Sequence, residues 1–177
     1  RTETVDMIGK VCLVTGARVK IGYRCALKLL RCGATVIATT RFPADAGRRF
    51  EKEEDFNVWN KKLHLFGLDF RNIGALEAFC SFVKQRYSRL DVIINNACQT
   101  IRRPPVFYQH LLQHENENSS PSSVSPTMLP MLQQNFELVK EINMGGNSSQ
   151  FLTGSKGETM IEEVDDNMEV VMDSKKK

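Results

Sequence analysis

Short β-rich apolar runs alternate with stretches of helical periodicity through the first 108 residues. The first run, Val11-Cys12-Leu13-Val14-Thr15, lacks the polar alternation of a half-exposed strand, so it predicts a strand covered on both faces. Beyond Gly16, the residues Ile21, Cys25, Leu29 and Cys32 fall near helical spacing with Arg24, Lys28 and Arg31 on the other side; a helix follows and ends at Gly33. Residues 34–40 read as a second strand. Pro43 then opens a second helix through Ala44, Ala46 and Phe50, expected to face solvent on most sides. Residues 63–69 form a third strand, and Ile73, Leu76, Phe79, Cys80, Val83 and Tyr87 stripe a third helix. Residues 90–96 form a fourth strand.

Doubly covered strands alternating with helices predict an α/β fold, a doubly wound parallel sheet with right-handed crossovers and strand order 3-2-1-4. Four strands are visible where a full dinucleotide domain uses six or more. Beyond Tyr108 the pattern breaks. Residues 109–126 are polar and rich in Pro and Ser, which reads as a linker, and residues 127–142 carry a helical stripe through Leu129, Leu132, Phe136 and Val139. An acidic segment and Lys175-Lys176-Lys177 follow, expected to be disordered. The organisation is therefore a nucleotide-binding portion over 1–108, a linker over 109–126 and a divergent tail over 127–177.

Composition narrows the function classes. At 177 residues, 41% hydrophobic and 25% charged, the chain holds one domain with a real core. No apolar run approaches the roughly 20 residues of a membrane span, so no membrane partner is expected. A net charge of +3 without a basic stripe argues against nucleic acid. The five cysteines include no Cys-x-x-Cys pair and read as core thiols of a cytoplasmic protein. His64, His110 and His114 have no convergent ligands, so no metal is expected. The chain begins at Arg1, which reads as part of something longer.

The chemistry concentrates in the first strand-to-helix turn. Gly16 and Gly22 give a phosphate clearance to approach backbone amides at the positive end of a helix. In this turn the sequence resembles the short-chain dehydrogenase/reductase family, and the resemblance covers residues 9 to 108. The family's Thr-Gly-x-x-x-Gly-x-Gly is matched by Thr15, Gly16, Ile21 and Gly22, while Lys20 stands in the middle glycine position. Lys20 either contacts a phosphate through its ammonium or points outward while the backbone binds. Asn95-Asn96-Ala97-Cys98 resembles the family's Asn-Asn-Ala-Gly, with Cys98 in place of glycine; Asn95, Asn96 and Ala97 then either steady the sheet or pass along the cofactor.

The resemblance implies NAD(P) as cofactor and a Rossmann fold. Arg41, directly after the second strand, suits the 2′-phosphate of NADP with help from Arg18, where an acid would select NAD; a surface ion pair is the alternative for Arg41. Asp69 and Phe70 end the third strand near the expected adenine position, and Asp69 also suits a helix N-cap. The implied reaction is hydride transfer between NADPH and a small-molecule carbonyl or alcohol, in which a tyrosine, its pKa lowered by a lysine four residues on, donates the proton. Four residues after Tyr23, Tyr87 and Tyr108 stand Leu27, Asp91 and Leu112, so no Tyr-x-x-x-Lys exists and no catalytic residue is assigned. The expectation is thus the cofactor-binding half of an NADP-dependent enzyme. The rival expectation is an inactive nucleotide-binding or interaction module, and assembly into a homo-oligomer stays open.

Overall fold

The computed structural model of the chain describes residues 5–98 and 104–144, and the expected acidic tail lies outside them. The elements run β1 Val11–Thr15, α1 Lys20–Arg31, β2 Thr35–Thr40, α2 Pro43–Glu51, α3 Phe56–Trp59, β3 Leu63–Gly67, α4 Ile73–Arg86, β4 Val92–Ile94, α5 Gln109–Glu117 and α6 Leu129–Met144. A short 3-10 turn, Pro105–Tyr108, leads into α5. All strand pairs are parallel, in the expected order β3-β2-β1-β4.

Both faces of the sheet are buried. Val36 and Ala38 of β2 point to one side with Leu63 and Leu65 of β3, where Ala26, Leu27 and Leu30 of α1 and Phe50 of α2 cover them. Ile37 and Phe66 point to the other, where Phe79 and Phe82 of α4 pack edge-on against Phe66 with ring centroids 5.2 and 5.9 Å apart. The apolar stripe of α1 sits one position off the expected one. In α1 the buried residues are Gly22, Ala26, Leu27 and Leu30, leaving Ile21 72% exposed, because the close seat of Gly22 in the turn sets the helix rotation. In α4 most of the expected stripe holds: Phe79 is buried with Ala75 and Phe82, and Leu76, Val83 and Tyr87 pack against them, while Ile73 and Cys80 are exposed. Of the cysteines only Cys12 belongs to the core; Cys25 and Cys32 are half-buried, Cys80 and Cys98 are exposed, and all five are free thiols.

Residues 109–117, expected as linker, form α5, whose Leu111 and Glu115 are buried. The second helix differs as well: Pro43, Ala44, Ala46, Gly47 and Phe50 of α2 are buried rather than turned to solvent. Both corrections share one cause, since α5 and α6 fold back over α2 and β3. Met131 and Leu132 of α6 join the core on one face of the sheet and Leu138 joins it on the other. Helix α6 therefore lies along the open edge of β3, and Asn135 Oδ1, buried there, accepts a hydrogen bond from the Gly67 amide at 2.7 Å. The opposite edge, β4, is short, with Ile93 55% exposed.

Candidate cofactor site

The C-terminal ends of β1, β2 and β4 converge on the turn between Thr15 and Lys20, the place where parallel α/β sheets bind ligands. Gly16 has φ +68, and a Cβ on it would stand 2.9 Å from Ala97 Cα. A Cβ on Gly22 would stand 2.4 Å from both the Gly16 carbonyl oxygen and Asn96 Nδ2. Glycine at both positions is therefore what lets the chain pass so close to itself.

Lys20 occupies the middle glycine position with φ +54, the one non-glycine residue in the left-handed region among the described residues. A glycine at that place is thus a backbone requirement, and lysine meets it at the cost of strain. Its side chain is exposed at the start of α1, beside a shallow depression on the outer face of the helix lined by Ile21, Arg24, Cys25 and Lys28.

Thr15 ties the turn to the end of β4. Its hydroxyl donates to the Ile94 carbonyl at 3.4 Å and accepts from the Asn96 and Ala97 amides at 2.9 Å each. Asn96 Nδ2 donates to the Thr15 and Gly16 carbonyls at 3.0 and 3.2 Å. The side-chain amide of Asn96 therefore holds the glycine turn in shape. Asn95 and Ala97 are exposed beside it, and Asn96 is half-buried. Thr15 acts as the hub, a role the sequence signalled only through its place before Gly16.

A second group gathers at the end of β2. Arg41 lies with its guanidinium carbon 5.4 Å from the centre of the Phe42 ring and 4.8 Å from that of Tyr108. It makes no ion pair among the described residues. Arg18 sits 5.5 Å from the same Phe42 ring, which brings the two expected arginines to one aromatic platform. Its charge is already engaged, however: Nη1 donates to Asp45 at 2.8 Å, and Asp45 also accepts from Arg49 at 2.8 Å. Burial raises the Asp45 carboxyl, yet the two arginines outweigh it and hold it below its usual range.

Asp69 pairs with Arg71 through Nη2 at 2.6 Å, and despite the opposing effect of burial this neighbour holds its carboxyl below the usual range, with Arg41 adding to the effect. The N-cap of α4 is Asn72, whose side chain accepts from the Ala75 amide at 3.1 Å, so Asp69 does not cap. Phe70 beside it is 39% exposed. The sequence offered no sign of two further participants, Tyr108 and Glu115: Tyr108 is the last residue of the expected nucleotide-binding portion, and Glu115 lies in the segment that local pattern assigned to a linker.

Neither Tyr23 nor Tyr87 has the lowered phenol that proton donation to a carbonyl needs. Burial raises both, and Tyr23 is further raised by its hydrogen bond to Glu53 at 2.5 Å. Among the described residues no cluster of three His, Cys, Asp or Glu side chains is placed to hold a metal, and no helix is long and apolar enough to cross a membrane.

Residues 10–118 match the family model of the short chain dehydrogenases. An uncharacterized protein of Acanthamoeba polyphaga mimivirus is 37% identical over 106 residues, which cover 57% of this chain and 23% of that protein. The 2-dehydro-3-deoxy-D-gluconate 5-dehydrogenase of Pseudoalteromonas atlantica is 33% identical over 102 residues, 58% of this chain and 39% of that enzyme. The match thus spans well under half the length of either relative. A crystal structure of a short chain dehydrogenase from Salmonella enterica serovar Typhi aligns with TM-score 0.48 at 24% identity, covering 76% of this chain and 57% of that one.

Proposed function

The chain belongs to the short-chain dehydrogenase family, and from that premise we propose that it is the NADP-binding portion of an oxidoreductase acting on a carbonyl or alcohol. The observation that carries the choice of NADP is Arg41 at the end of β2, beside the Phe42 and Tyr108 rings and without an ion pair among the described residues. A guanidinium with no carboxylate partner among the described residues leaves its charge for a phosphate, and Arg18 adds charge that Asp45 partly cancels. The glycine turn suits the pyrophosphate, because Gly16 and Gly22 let it close tightly at the start of α1, whose first amides have no partner within the helix. Lys20 and Ile21 flank that position, and Asn95 and Ala97 border it from β4. Asn96 acts on the nucleotide only through the turn it braces.

Asp69 and Phe70 stand at the end of β3, where the adenine would lie, Phe70 offering an apolar wall and Asp69 an acceptor. When bound, NADPH supplies a hydride; these residues bind and orient it. Proton donation is not assigned to them, because no Tyr-x-x-x-Lys is present and the buried phenols are raised rather than lowered. The β4 edge, which nothing covers among the described residues and where Ile93 is exposed, supports a second reading as a non-catalytic module that pairs with another chain.

Calorimetric titration tests the assignment. Arg41→Asp is expected to weaken NADP binding about tenfold or more, the size of one lost charge-assisted contact, and to change NAD binding by less than about twofold. Equal losses would remove the 2′-phosphate from Arg41. Failure of either nucleotide to bind at millimolar concentration leaves only the second reading.

A further inference from the structure

We infer that Glu115 is an internal anion that competes with the 2′-phosphate of the nucleotide, and that with Tyr108 it holds the β2–α2 end of the site closed in the free protein. The inference rests on the proposed NADP reading.

Helix α2 begins at Pro43, which has no amide hydrogen, so its first free donors are the amides of Ala44 and Asp45. These point out of the helix toward the ends of the strands, three and four residues after Arg41. Both are taken. Glu115 Oε2 accepts from Ala44 at 2.9 Å and Oε1 from Asp45 at 3.0 Å, and the residue is only 6% exposed. A carboxylate with each oxygen on one amide fills this end of α2 as a phosphate oxygen pair would.

The other end of the same segment covers the arginine. Tyr108 closes on the Arg41 guanidinium at 4.8 Å and stacks on Phe42 at 5.7 Å. Turn and helix together therefore engage the charged side chain and the backbone donors that a phosphate at this position needs. Glu115 is held there at a cost: burial pushes its carboxyl up, the two amides pull it down, and Asp45 opposes it again. Space for it to withdraw lies alongside, in a cavity of about 210 Å³ lined by Glu115, Asn118, Leu132, Asn135 and Phe136 among others.

The experiment titrates the wild-type chain, Glu115→Gln and Tyr108→Ala with adenosine 2′,5′-bisphosphate and with adenosine 5′-monophosphate. Removing the competing charge raises the open fraction, and the apparent affinity rises by the same factor. Glu115→Gln is expected to bind the bisphosphate about tenfold tighter than wild type, since a neutral amide holds the donors about half as strongly. Its affinity for the monophosphate is expected to stay unchanged. Tyr108→Ala, which leaves the buried carboxylate in place, is expected to gain about threefold from the lost ring contact, and it carries the test if Glu115→Gln is unfolded by circular dichroism. If wild type prefers the bisphosphate but neither variant binds it more tightly, the internal anion is overturned and the NADP reading stands. If no protein prefers the bisphosphate, both fall.

Discussion

At the scale of single residues, Gly22 and Lys20 show two different reasons for glycine in one turn. Gly22 is required by proximity: its hydrogen faces the Gly16 carbonyl and Asn96 at distances no methyl group tolerates. Gly22→Ala is therefore expected to lower the unfolding free energy by about 2 kcal/mol, the range for forced overpacking. Lys20 has open surroundings but a left-handed backbone, φ +54. Lys20→Gly relieves about 1–2 kcal/mol of backbone strain and returns part of it as chain entropy, so a net gain of about 0.5–1 kcal/mol is expected. Urea denaturation of the two variants checks both signs. A loss on Lys20→Gly would show that its side chain contributes to folding. The need for bare backbone was legible in the spacing of Gly16 and Gly22, whereas the conformation of Lys20 was not, because one substituted letter carries no φ angle.

At the scale of elements, the two edges of the sheet are treated differently. The β3 edge is covered by α6, with Asn135 meeting the Gly67 amide and Tyr87 donating to Gln134 at 2.5 Å across the helix contact. The β4 edge has no such cover among the described residues. Asn135→Ala strips the partner from a buried amide, which costs about 1–3 kcal/mol. The expected result is a lower urea midpoint together with faster hydrogen exchange at Gly67 than at Leu65, an interior position of the same strand. Equal exchange at both would mean that α6 covers the edge without bonding it. The stripe through Leu129, Leu132 and Phe136 announced this helix; its destination was not written locally, since an apolar face states that it will be buried and not against what. The same limit turned α5 into an expected linker, because Leu111 and Glu115 are too sparse a signal to outweigh nine mostly polar letters.

At the scale of the whole molecule, ionisable groups predict a two-step loss of stability in acid. Burial lowers the His64 imidazole, which is packed against Tyr87 and Gln134, below its ordinary 6.5. The unfolded chain therefore takes up this proton first, and stability complete above pH 6.5 declines below it. Hydrogen bonding from Arg31 to Asp55 and from Arg89 to Asp91 holds both carboxyls at about 2. Their contribution is complete above their ordinary 3.8 and is lost as pH falls from there toward 2. Glu115, raised rather than lowered, opposes the first step. The step is accordingly read as the difference between wild type and His64→Gln in urea midpoints at pH 7 and pH 5. No difference between the two proteins would remove His64 from the account. The sequence by itself determined the repeating strand-helix order, the parallel sheet 3-2-1-4 and the glycine turn, because periodicity and turn chemistry act between near neighbours. Only the tertiary structure decided that Thr15 and Asn96 lock that turn, that α6 seals one edge, and that Tyr108 and Glu115 come to rest on Arg41 and α2. The hydrogen bonds among those pairings join residues far apart, Asn96 to Thr15 at a separation of 81, Ala44 to Glu115 at 71 and Gly67 to Asn135 at 68. Contacts at that range are chosen by which surfaces remain to be buried once the sheet has formed, and no local pattern records that choice.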